Sequence, residues 1–214
     1  LYAIIFYMRN IEILAPAGSF ESVVAACVCG ADSIYLGGKS LNARRNASNF
    51  DYEELKRTVE YCHIHGVKVY LTLNIVMFDS EREELISAAK EAAQIGIDAI
   101  IVQDLGVLSI LRNALPDMPL IASTQMAVHN LSGALEAEAL GCSVVVLARE
   151  LSKDEIKYIA ENLHTAKVEI FAHGALCMSM SGQCYMSSML GGRSGNRGLC
   201  AQPCRLPFSI GKKY

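Results

Sequence analysis

Short apolar runs alternate along this chain with stretches of helical periodicity. The runs fall at residues 11–14, 33–36, 67–73, 99–102, 120–122, 143–147 and 167–171, and all have the composition of strands buried on both faces. Helical patterns fill six of the intervals, at residues 19–29, 51–65, 80–94, 105–115, 130–140 and 152–163. Ser19, Asp51, Asn130 and Ser152 stand where N-caps are needed, and Glu54 and Glu155 complete capping boxes with Asp51 and Ser152. Gly30, Gly66, Gly96 and Gly141 close four of the helices, and Pro116 stops a fifth.

A strand–helix unit repeated seven times predicts an α/β fold built on a parallel sheet. The expected form is a TIM-barrel-like (β/α) barrel, incomplete or truncated after the seventh strand, followed by a Cys-rich C-terminal loop. A doubly wound sheet is the alternative. Ala17-Gly18 after the first strand lacks the three-glycine pattern of a dinucleotide site. Residues 1–10 read as an N-terminal extension and 11–214 as the barrel-like domain. Met8 precedes the first clean strand and is a candidate natural start.

Polar side chains recur just after the strands: Asn42, Asn74, Gln103, Gln125, Arg149 and His173. In a parallel barrel these positions converge on one mouth, where active sites form. The loop after the second strand adds Arg44, Arg45 and Asn46, an anion clamp in the company of Asn42. His129 lies beside Gln125. His173 is open to three readings: a catalytic acid/base, a ligand or a satisfied core imidazole.

The C-terminal stretch changes character. Cys177, Cys184, Cys200 and Cys204 follow the spacing C-x6-C-x15-C-x3-C among Gly, Ser, Gln and Pro. No Asp or Glu occurs from Ile170 onward, whereas Arg193, Arg197, Arg205, Lys212 and Lys213 do. Four thiolates can hold a [4Fe–4S] cluster or zinc. Spacing alone leaves cluster, zinc and free thiols open. Arg193 and Arg197 could offset a cluster's negative charge or grip a phosphate or carboxylate. Cys27, Cys29, Cys62 and Cys142 lie in apolar segments and read as small buried hydrophobes.

Composition narrows the field further. The 214 residues are 52% hydrophobic and 19% charged, with a net charge of −3 and no Trp. No apolar run is long enough to span a bilayer. The opening LYAIIFY lacks the flanks of a signal peptide, so eight cysteines point to a reducing cytoplasm rather than to a disulfide scaffold. Peptidase signatures are weak, with neither an H-E-x-x-H helix nor a G-x-S-x-G elbow.

The segments EIFAHGALC (Glu169–Cys177) and SGQCYMS (Ser181–Ser187) resemble the signature of the peptidase U32 family, also called collagenase-like proteases. ILAPAGSFES, YLGG, NARRNASNFD, VYLTLN, IVQDLG, STQMAVHN, VLARELS and MLGGRSGNRGLCAQPCR are similar to the same family, from about Ile11 to Phe208. The resemblance implies a barrel-like N-terminal domain of a longer protein. It also implies two competing activities. Some members are named proteases. Others serve hydroxylation of tRNA uridine, of an rRNA cytidine or of the ubiquinone ring, and the last carry a [4Fe–4S] cluster in this region. By motif position Cys177, Cys184 and Cys200 carry over as ligands. In some relatives the fourth ligand lies beyond the position of Cys204. The combined expectation is an Fe–S-dependent RNA hydroxylation protein with tRNA or rRNA as partner and a small anionic ligand. A peptidase with a peptide substrate is the first alternative, and a non-enzymatic RNA-binding scaffold the second.

Overall fold

A computed structural model of the chain describes residues 11–43, 48–209 and 211. Seven strands form one sheet: β1 (Leu14–Pro16), β2 (Ser33–Gly37), β3 (Lys68–Leu73), β4 (Ala99–Val102), β5 (Leu120–Ala122), β6 (Cys142–Val146) and β7 (Lys167–Glu169). All neighbouring pairs are parallel, in the strictly sequential order β1 to β7. A doubly wound sheet reverses its strand order at a switch point. The unbroken order therefore selects the barrel reading, as a half-barrel whose two edges are β1 and β7.

The six connecting helices are α1 (Phe20–Val28), α2 (Tyr52–Ile64), α3 (Arg82–Gln94), α4 (Leu105–Ala114), α5 (Leu131–Ala139) and α6 (Lys153–Asn162). The expected caps form. Ser19, Asp51, Asn130 and Ser152 each accept a backbone N–H, with complete boxes at Asp51–Glu54 and Ser152–Glu155. Apolar residues of the helices and of one sheet face make the main core, including Val23, Ile34, Leu36, Leu71, Leu85, Ile100, Leu111 and Ile159. The opposite face curls round a smaller core of Tyr70, Ala99, Ile101, Ile121 and Val146. That inner layer is thin, so the half-barrel depends on its helix-facing side.

Three boundaries differ from the sequence pattern. β1 begins at Leu14 rather than Ile11, because pairing with β2 starts at Leu14 opposite Ser33, and Ile11 is left 80% exposed. β7 ends at Glu169 rather than Phe171, since β6 offers it no partner past Val146; Ile170 and Phe171 are half exposed. The 80–94 helix opens as a 3₁₀ turn at Asp79–Glu81. Among the cysteines read as buried, Cys62 and Cys142 are buried and Cys27 is partly so. Cys29 is exposed at the C-cap of α1, because it points off the end of the helix.

The two sheet edges share a carboxyl pair. Tyr70 donates its hydroxyl to Glu12, and Lys68 Nζ lies 3.3 Å from the same carboxylate. Burial acts to raise the Glu12 pKa, but the hydrogen bonds from Tyr70 and Lys68 prevail and hold it below its ordinary value. Glu169 has no such donors. Burial first, and the negative charge of Glu12 second, push it up to about 7. A folded pKa above the unfolded one means that stability is fully present below the ordinary carboxylate value and is lost as pH rises through about 7. Glu169→Gln should therefore leave thermal stability unchanged near pH 4. Near pH 8 it should raise it by about 1–3 kcal/mol after allowance for partial exposure. Melting curves across this range check the prediction.

Candidate functional site at the barrel mouth

Parallel strands deliver their C-terminal ends to one face, and the chain after β7 folds over that face. It forms a short helix, α7 (Met186–Gly191), and 3₁₀ turns at Gly195–Arg197 and Pro203–Arg205. The glycine-rich stretch gave no sign of α7. The helix ends where Gly192 enters the left-handed region at φ 66°.

This cap sits on the mouth through backbone contacts. A Cβ on Gly182 (φ +70°) would lie 2.1 Å from the Gln125 carbonyl oxygen. One on Gly198 (φ +73°) would lie 2.4 Å from the Asn42 carbonyl oxygen. Only glycine permits both the conformation and the approach. The described non-glycine residues with positive φ are Leu41, Asn49, Ala127 and Gln202, and all lie in the mouth loops or the cap. Such strain collects where surrounding structure fixes a functional geometry.

Side chains complete the docking. Arg149 Nε donates to Ser181 Oγ (3.1 Å), Nη1 to the Cys177 carbonyl (3.3 Å) and Nη2 to the Ser179 carbonyl (3.2 Å). Glu150 accepts the Ser181 N–H at 3.0 Å and lies 3.2–3.3 Å from its hydroxyl. Burial raises the Glu150 pKa, but the Ser181 donors and the Arg149 charge outweigh it and keep this carboxyl below its ordinary value. On the opposite side, Arg197 grips Glu81 with two bonds of 2.6 and 2.9 Å, donates to the Val76 carbonyl at 2.8 Å and covers the Phe78 ring at 4.4 Å. The Val76 N–H returns a bond to the Asn196 carbonyl (3.1 Å).

These contacts change the expected roles of several residues. Arg149 and Arg197 face the protein itself, since their guanidinium donors bind cap carbonyls, a hydroxyl and Glu81. Asn42 is fully buried, its amide donating to the Gly38 and Ser40 carbonyls. Asn74 accepts the Ala43 N–H at 3.0 Å. Both asparagines brace the β2 loop. Arg193 Nε donates to the Leu199 carbonyl (3.1 Å) and leaves the rest of its exposed side chain at the surface. Arg44, Arg45 and Asn46 lie outside the described residues.

Gln103 and Gln125, just past the ends of β4 and β5, differ from Asn42 and Asn74. Gln103 is 8% exposed, and the side-chain oxygens of both are buried without a hydrogen-bond partner. His129 donates from Nδ1 to the Ala127 carbonyl (2.6 Å). Its buried Nε2 lies 3.2 Å from Glu150 without hydrogen-bond alignment. His173 is exposed beyond β7. Sequence reasoning missed Glu81, Glu150 and Ser181. Glu150 had its position beside Arg149 as a signal and Ser181 had its Ser-Gly-Gln-Cys context; Glu81 had none.

The four cap thiols are free, with Cys177, Cys200 and Cys204 exposed and Cys184 partly buried. The stretches that carry them are tied together. Arg205 donates to the Leu176 carbonyl, the Ala201 N–H to Ser187 Oγ (2.9 Å) and the Gln202 N–H to Cys200 Sγ (3.3 Å). Thiolates of this number are the donor type of a cluster or a thiolate metal site. Among the described residues, however, no three His, Cys, Asp or Glu side chains converge as a ready ligand set.

A parallel half-barrel with a folded cap on its C-terminal mouth defines a TIM-barrel-like α/β protein. Solved structures agree at the level of fold: the U32 peptidase Mk0906 superposes with TM-score 0.61 at 17% identity, over 74% of this chain and 67% of that one. The family model Peptidase family U32 matches residues 18–214, and the chain belongs to this family. It is 40% identical to the 23S rRNA 5-hydroxycytidine C2501 synthase of Escherichia coli K12, over 94% of this chain and 30% of that protein. It is also 40% identical to a collagenase of Porphyromonas gingivalis, over 96% and 52%, and 33% identical to tRNA hydroxylation protein P of E. coli K12, over 93% and 44%. The chain thus spans about a third to a half of the length of these relatives.

The seating of the cap is open to direct test. Gly198→Ala or Gly182→Ala should displace the cap while the barrel stays folded. Each adds about 1 kcal/mol of left-handed backbone cost to a clash that only movement relieves. Limited proteolysis should then cut residues 177–205 faster than in the parent, with the main melting transition shifted only slightly.

Proposed function

We propose that this chain is the barrel and cap of an Fe–S-dependent RNA base hydroxylation protein acting on tRNA or rRNA. One observation carries the reading. A segment bearing four free thiols is seated over a mouth in which Gln103 and Gln125 hold buried, unpartnered amide oxygens. An unpaired buried acceptor costs roughly 1–3 kcal/mol, which a ligand bearing N–H donors would recover. The donor edge of a nucleobase is such a ligand. Relatives named for rRNA and tRNA hydroxylation at 33–40% identity support the substrate class.

Cys177, Cys184, Cys200 and Cys204 would hold the [4Fe–4S] cluster, which supplies one-electron chemistry when bound. The protein's own part is to position and exclude. The cap shields the mouth from water, Gln103 and Gln125 orient the base, and Arg193 with Arg205 offers charge to the phosphate backbone. No Asp or Glu from Ile170 onward opposes that charge. In a peptidase reading the hydroxyl of Ser181 is a poor nucleophile, because it is 1% exposed and lies against Glu150 and Arg149. Among the described residues no helix is long and apolar enough to cross a membrane.

Anaerobic purification of the full-length protein should yield brown material with about four irons and four sulfides per chain, lost on Cys177→Ala. Nucleoside mass spectrometry of a deletion strain should show a missing hydroxylated pyrimidine that Gln103→Leu fails to restore. Colourless, metal-free protein that cleaves a peptide would overturn this reading in favour of the collagenase-like activity named for the P. gingivalis relative.

A further inference from the structure

The cap has little apolar surface to hold it down. Leu176, Met178, Met180, Met189 and Leu190 are all more than half exposed. Its placement therefore depends on polar ties, and these gather at two points on opposite sides of the mouth. One is the β6 loop, where Arg149 and Glu150 together bind the backbone at Cys177, Ser179 and Ser181. The other is the β3 loop, where Glu81 and the Val76 carbonyl bind Arg197, three residues before Cys200.

We propose that Arg149–Glu150 and Arg197–Glu81 are two positioning clamps on opposite sides of the mouth, each setting mainly its own part of the thiol set. The β6-loop clamp sets Cys177 and Cys184. The β3-loop clamp sets Cys200 and, through the Pro203–Arg205 turn, Cys204. The role assigned to the thiols rests on the cluster reading above; the clamping itself does not.

The physical argument is one of specificity. Arginine–glutamate pairs that are partly removed from water contribute little net stability, but their geometry is demanding. Each arginine here is less than a fifth exposed in its side chain and is used on backbone carbonyls as well as a carboxylate or hydroxyl. Such an arrangement fixes where a loop lies. Ser181 makes the first clamp reciprocal, since its N–H and hydroxyl meet Glu150 while its Oγ receives Arg149.

The test uses the full-length protein with Glu150→Gln or Glu81→Gln, and Ser181→Ala as a milder change at the first clamp should Glu150→Gln fail to fold. Amide hydrogen exchange is read in the metal-free form, and bound iron and sulfide after anaerobic reconstitution. Glu150→Gln should speed exchange about tenfold across residues 177–184 and much less across 195–201, and Glu81→Gln should do the reverse. Each variant should retain less than half of the parent's iron. Equal loosening of both segments by either variant, or loosening of neither, overturns the clamps. A loosened segment with undiminished iron overturns their role toward the thiols. A parent protein that binds no iron overturns the cluster reading alone, and the exchange pattern then decides whether the clamps exist.

Discussion

Everything in this structure depends on the direction of its strands. Seven parallel strands in sequential order end on one face, and their helices return on the other side of the sheet. Polar residues after each strand therefore converge although they are scattered over more than 100 positions of sequence. The convergence also creates a seat. The carbonyls of Asn42 and Gln125, on the β2 and β5 loops, are left where the later chain can lie against them, and Gly198 and Gly182 do so.

The two parts of the molecule are stabilised by different physics. The barrel has a continuous apolar core between sheet and helices, in which fully buried Leu, Ile and Val side chains each contribute about 1.5–3 kcal/mol. The cap is held instead by glycine contacts and by arginine–carboxylate ties to Glu81 and Glu150 on the barrel loops. Contacts of this kind specify a position without adding much net free energy, so the cap belongs to the low-stability end of the fold.

Most of the barrel was legible in the sequence because its signals are local. Apolar runs, N-caps and closing glycines each follow from the chemistry of a few neighbouring residues, and the structure places them within about three positions of the expected ends. The site was legible in part. The parallel strands bring the strand-end residues to one face, but sequence could not say which of them would be used internally. Arg149 and Arg197 carry the same charge as an anion clamp; only the fold shows that Ser181, Glu81 and cap carbonyls have taken up their donors. Asn42 reads as a ligand until Gly37 is seen packed against its side chain. The early end of β7 was hidden for a related reason: Ile170 and Phe171 have strand composition, and only the absence of a facing partner on β6 releases them.

The exposed rim of the cap has a consequence for how such proteins diverge. Met178, Met180 and Met189 are exposed, and methionine accommodates many contact shapes. The seat itself is made by glycine backbone and by two arginines. Substitutions along the rim can therefore change the exposed surface of the cap without disturbing how the cap is held.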